Sequence, residues 1–97
     1  MDRAHEGTRR LQLEGEYDLA DKDALAALFG ALTPDGAVVI DMTKVTYIDS
    51  TFLHQIDALR LRLKKHRVTL LGVNKWARNV LHIVHFDHLF QIVEAQA

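Results

Sequence analysis

The sequence predicts an α/β domain whose sheet is mixed but mostly parallel, with about four to five strands packed against helices. Three observations carry that expectation. Strand-like and helix-like patterns alternate along the chain, the order that builds parallel sheets through right-handed crossovers. Two apolar runs, Ala37-Val38-Val39-Ile40 and Val68-Thr69-Leu70-Leu71, lack a clean polar alternation, as strands do when both faces are covered. The length of 97 residues suits a single core.

Each element has its own justification. Residues 1–7 show no apolar period and read as a disordered tail on one domain spanning 1–97. Arg10-Leu11-Gln12-Leu13-Glu14 alternates polar and apolar, the signature of a half-buried strand, and Gly15 ends it. Residues 16–20 lead into a helix for which Asp21 is a suitable N-cap, its carboxylate accepting an orphan N–H of the first turn. Leu25, Leu28, Phe29 and Leu32 follow at helical spacing and make one stripe. Thr33-Pro34-Asp35-Gly36 stops that helix, because proline cannot extend it and Asp-Gly is turn chemistry. After the strand at 37–40, residues 41–49 read as a mixed connection in which Val45, Tyr47 and Ile48 tuck under the sheet edge. A long helix is expected from Ser50, with Phe52, Ile56, Leu59 and Leu63 inward and Leu53 flanking them. It runs out in Lys64-Lys65-His66-Arg67, and the strand at 68–71 is closed by Gly72. Asn74 is placed to cap a third helix with Trp76, Val80 and Ile83 on its inner face. Leu89-Phe90-Gln91-Ile92-Val93 is a last short element whose pattern fits strand or helix equally.

Composition excludes several classes of function. The 12 Lys+Arg and 13 Asp+Glu nearly cancel, leaving −1 with His neutral, so no general field draws nucleic acid or acidic lipid. No cysteine means no disulfide, no thiolate nucleophile and no Cys-based zinc site, a usage that fits the cytoplasm. No apolar run approaches the roughly 20 residues needed to span a bilayer. The polar start, Met1 to Arg10, argues against a signal peptide. Phosphate-cradling and zinc-protease motifs such as G-x-x-x-x-G-K-S/T, G-x-G-x-x-G and H-E-x-x-H are missing, so neither a cofactor nor an autonomous enzyme is expected.

The stretch Tyr47-Ile48-Asp49-Ser50-Thr51-Phe52-Leu53 puts two hydroxyls and a carboxylate where a loop becomes a helix. The first turn of a helix has unpaired N–H groups and partial positive charge. The plain reading makes Asp49 or Ser50 the N-cap. The functional reading presents a hydroxyl that can carry phosphate, which gains from the helix end and adds roughly −1.5 to −2 charges beside Asp49. A hydrolase elbow does not fit, because Ile48 and Phe52 flank Ser50 where such elbows need small residues, and His54 sits on the same helix.

Val39-Ile40-Asp41, Val45-Thr46-Tyr47-Ile48 and Asp49-Ser50-Thr51-Phe52-Leu53, in that order, resemble the signature of STAS domains, above all the anti-sigma factor antagonists. Gly15-Glu16-Tyr17-Asp18-Leu19 is similar to the family's early turn. Val80-Leu81 and Asp87-His88-Leu89-Phe90-Gln91-Ile92 are similar to its closing segment. The resemblance implies a STAS domain that binds an anti-sigma factor serine kinase when unphosphorylated and is released on phosphorylation, with a serine phosphatase to reset it. It implies Ser50 as the phosphosite, with Thr51 as the alternative. The implied docking surface comprises Asp18, Asp49, Ser50, Thr51, Phe52 and His54. It equally allows a non-switching assembly subunit, in a signalling scaffold or a phospholipid-transport ATPase complex. Phe52 stands where the family commonly has glycine, and its ring either enters the core or blocks a kinase; His85 likewise replaces a glycine.

Two further clusters have plain readings. His82, His85 and His88 recur every third residue; they could bind a metal such as zinc, but they also suit a polar helix end, and no metal site is assigned to them. Arg60, Arg62, Lys64, Lys65 and Arg67 complement the end of the second helix or dock an acidic partner.

Overall fold

The computed structural model describes residues 9–32, 37–63 and 67–94. The expected tail at 1–7, the stop at 33–36 and Lys64, Lys65 and His66 lie outside the described residues. Strand β1 (Arg9–Tyr17) is followed by a 3-10 turn (Leu19–Asp21) and helix α1 (Lys22–Gly30). Then come β2 (Val38–Ile48), α2 (Ser50–Leu63), β3 (Val68–Leu71), α3 (Lys75–Ile83), a second 3-10 turn (Phe86–His88) and β4 (Gln91–Val93). The four strands form one sheet in chain order, and each neighbouring pair is parallel. The mixed sheet expected from the sequence is therefore parallel throughout among the described residues.

Sequential order and right-handed crossovers bring the three helices to one face of the sheet. On that face Leu13, Val38, Ile40, Met42, Val45, Ile48, Val68 and Leu70 are buried with Leu25, Phe29, Phe52, Ile56, Leu59, Ala77 and Leu81 in one cluster. The other face is less covered than the apolar strands suggested: Arg10, Gln12 and Glu14 are exposed, and Val39, Thr69 and Leu71 are half-buried.

Several boundaries differ from the sequence reading, each for a physical reason. Residues 41–48 continue β2 instead of forming a connection, because β1 also extends and pairs with them, Glu14 with Lys44 and Tyr17 with Ile48. Gly15 does not end β1. It adopts φ +85, a conformation that suits glycine, and β1 continues through two register shifts at which β2 carries the extra residue. Asp21 makes no side-chain cap on α1; Asp18 caps the preceding 3-10 turn instead, and Asp21 answers it in a capping box. Leu28 is exposed while Leu25, Phe29 and Leu32 are buried. In α3 the inward stripe is Ala77 and Leu81, one position from the expected one, so Trp76 and Ile83 are exposed. Asn74 does cap α3, accepting the Ala77 N–H at 2.7 Å.

The arginines in and after α2 have specific partners. Arg62 donates to the Phe29 and Leu32 carbonyls at 2.6 and 3.1 Å, adding to the Leu32 N–H that Phe29 already accepts and tying α2 to the end of α1. Arg60 pairs with Asp57 at 2.9 Å, and Arg67 donates to Gln91 at 2.9 Å.

One acid, Asp41, is buried in the sheet at 3% exposure. It accepts from the Thr43 hydroxyl at 2.7 Å, the Thr43 N–H at 3.0 Å and the Arg10 guanidinium at 2.7 Å. Burial pushes its carboxyl up, but the two Thr43 hydrogen bonds and Arg10 outweigh that push and hold it below its ordinary value. A carboxyl lowered in the folded state stabilises fully above its unfolded pKa of about 3.9 and loses that effect as pH falls through the folded value. Asp41→Asn is therefore expected to lower stability at neutral pH and to flatten the loss of stability in acid, as measured by urea denaturation across that range.

Candidate functional site

The β1–α1 and β2–α2 connections leave the sheet side by side, because Tyr17 pairs with Ile48 and the next residues are Asp18 and Asp49. Asp49 is the N-cap of α2. Its carbonyl accepts the Leu53 N–H at 3.2 Å, and its Oδ1 accepts the N–H groups of Thr51 and Phe52 at 2.8 and 3.4 Å. The capping role is thus filled by Asp49, which leaves the Ser50 hydroxyl without a structural duty among the described residues. Ser50 is exposed on the first helical position, while Thr51 is half-buried.

Phe52 is the next position inward and is 0% exposed. Its ring sits 6.2 Å from Tyr17 and 6.3 Å from Phe29, the latter edge-on. Of the two fates open to this ring, the structure gives entry into the core. That also corrects one expectation: Phe52 has no surface with which to touch a partner, and it acts by anchoring the helix start.

His54 is exposed one turn after Ser50, on the same side of α2. Asp18 is half-buried and engaged in its cap, its Oδ1 accepting the Ala20 N–H at 2.9 Å and its own N–H donating to Asp21 at 3.1 Å. The helix end is less free for an anion than the sequence suggested, since Asp49 already holds two of its N–H groups. A phosphate on Ser50 would stand in solvent beside that carboxylate.

Sequence reasoning missed three apolar side chains on this rim. Leu19, in the β1–α1 connection, is 70% exposed. Tyr47 and Trp76 are 41% and 47% exposed and stack at 5.3 Å with an 18° tilt. Asn74 bonds the Val45 carbonyl at 3.1 Å and so brings the start of α3 against the end of β2. Tyr47 faces out between buried Val45 and Ile48 because β2 carries an extra residue at Thr46, where the pairing passes from Gly15–Val45 to Glu16–Tyr47, and simple alternation gives no signal for that.

Near the chain end, His82 and His88 both approach Asp87, at 2.7 and 3.7 Å. A hydrogen bond from His82 is the main cause that holds the Asp87 carboxyl below its ordinary value. Among the described residues no group of three His, Asp or Glu side chains is arranged to hold a metal ion.

A sequential parallel sheet with helices on one face, and an Asp-Ser step opening α2, defines a STAS-type domain. The family model described as "Mlab, STAS domain" matches residues 1–94, and the chain belongs to that family. Solved structures agree on the fold. A sulfate transporter family protein from Wolinella succinogenes is 18% identical, with 93% of this chain and 79% of that one covered and a TM-score of 0.77. A candidate anti-sigma factor antagonist from Thermotoga maritima is 15% identical, with 87% and 76% covered and a TM-score of 0.76. The STAS domain of a SulP transporter from Vibrio cholerae is 16% identical, with 93% and 75% covered and a TM-score of 0.70. No curated protein matches the chain. Among the described residues no helix is long and apolar enough to cross a membrane.

Phe52→Ala is expected to lower the unfolding free energy by about 3–5 kcal/mol, as for other large core truncations. Asp49→Ala should cost about 1 kcal/mol through the lost cap, whereas Ser50→Ala should stay within about 0.5 kcal/mol of wild type. Urea denaturation of the three variants orders them.

Proposed function

We propose that this protein is an anti-sigma factor antagonist that works by partner switching. In this reading the unmodified rim around Ser50 binds an anti-sigma factor serine kinase in the cytoplasm, the kinase phosphorylates Ser50, and the complex dissociates. A serine phosphatase restores the hydroxyl. The protein itself catalyses nothing. The observation that carries the reading is the split at the start of α2, with an exposed Ser50 hydroxyl above a Phe52 ring sealed in the core.

The mechanism needs no refolding. A dianion at Ser50 enters the docked interface beside Asp49, and burying it unpaired is costly there. Each 1.4 kcal/mol is about tenfold in affinity, so a modest mismatch releases the partner. Asp18, Asp49, Thr51 and His54 border the same rim and contribute its shape and polarity.

A second reading has a specific observation behind it: the family description and the transporter-associated neighbours favour a non-switching assembly subunit. Such a subunit would sit in a signalling scaffold or a phospholipid-transport ATPase complex. One comparison separates the two. Under switching, Ser50→Asp weakens binding to the cognate kinase at least about tenfold while Ser50→Ala binds like wild type and resists release by ATP. Intact-mass spectrometry after incubation with that kinase and ATP, with peptide mapping, should show one phosphate on Ser50. Equal affinities for wild type, Ser50→Ala and Ser50→Asp would sink switching and leave the assembly role.

A further inference from the structure

We propose that the cleft along α3 is a binding site for a small organic anion, a carboxylate or phosphate carried on a flat apolar body. It shares Trp76 with the rim described above but does not depend on the Ser50 reading. Lys75, Arg78, Asn79 and His82 recur at i, i+3, i+4 and i+7 and share one face of α3, away from Ala77 and Leu81 in the core. With Trp76, Asp87 and Ile92 they line an open cleft of about 1020 Å³. Ligand pockets commonly run to roughly 300–1,000 Å³, so the space takes a ring with an acidic substituent.

The donors in the cleft are unequally committed. The Lys75 ammonium and the Asn79 amide have no hydrogen bond or ion pair among the described residues. Arg78 faces Glu94 at 3.5 Å, but that glutamate is 81% exposed and holds it weakly. The acidic member of the wall, Asp87, bonds His82 at 2.7 Å through Oδ2 and stands 3.7 Å from His88, while its buried Oδ1 has no hydrogen-bond partner among the described residues. Against that one acid, Lys75, Asn79 and the weakly held Arg78 offer donors and positive charge that an anion satisfies.

The apolar half of the ligand has a prepared wall. Trp76 leaves nearly half its surface open, yet Tyr47 stacks on it at 5.3 Å and restricts its ring. A ring held in place before binding loses little freedom on binding. Ile92, half-buried on β4, adds further apolar lining.

The test is titration of ¹⁵N-labelled protein, followed by amide chemical shifts, with phenyl phosphate and benzoate in parallel. Saturable shifts are expected along α3, the 3-10 turn at 86–88 and β4, and the tighter of the two probes names the acid. Inorganic phosphate, which lacks the ring, and benzyl alcohol, which lacks the charge, should each bind at least about tenfold more weakly. Lys75→Gln, at an exposed and unpartnered position, should weaken both acids about tenfold while leaving the sheet amides in place. The proposal is overturned by any of three results: no saturation by about 10 mM of either acid, equal affinity of Lys75→Gln and wild type, or shifts confined to the rim around Ser50.

Discussion

Burial of the Phe52 ring decides how the second helix begins. A helix turns about 100° per residue, so a ring locked inward at one position dictates which neighbours face out. With Phe52 held by Tyr17 from the first strand and Phe29 from the first helix, Ser50 and His54 are left on the solvent side. Three elements therefore meet at one aromatic contact, and the exposed hydroxyl is a by-product of core packing. A glycine in that place would leave the orientation to weaker contacts.

The polar groups of the rim divide in the same way. Asp18 and Asp49 turn their carboxylates onto backbone N–H groups, so both acids are partly spent on holding turns. Beside them three apolar side chains, Leu19, Tyr47 and Trp76, are exposed. Protein interfaces concentrate aromatic contact and deplete charge at their centres. Under the proposed docking, a single added charge on that rim would disfavour binding.

How much of this was legible in the sequence depended on which contacts set each residue. The helical stripe Phe52, Ile56, Leu59, Leu63 was readable because α2 packs with one clear face. The extension of β2 was not, since Thr43, Lys44 and Thr46 look like loop residues until β1 is seen to run beside them. The inward face of α3 was misread by one position: Trp76 and Ile83 outweigh Ala77 in hydrophobicity, but the small alanine is what fits close to the sheet. The arginine run dissolved for a similar reason. Arg62 answers the carbonyls of a helix that is distant in sequence, and no local pattern announces such a contact. At the site, Ser50 and Asp49 were readable from the Asp-Ser step, whereas the stacked Tyr47 and Trp76 required the fold to bring them together.

The strand order carries a consequence for how the molecule is made. Among the described residues every strand pairs only with strands adjacent to it in the sequence, so none of them must wait for a distant one to close the sheet. As the chain leaves the ribosome, each completed strand–helix–strand unit can dock on the one before it. The growing edge is then always the newest strand. Of the four described strands β4 is the shortest at three residues, so that edge offers little backbone to stray chains.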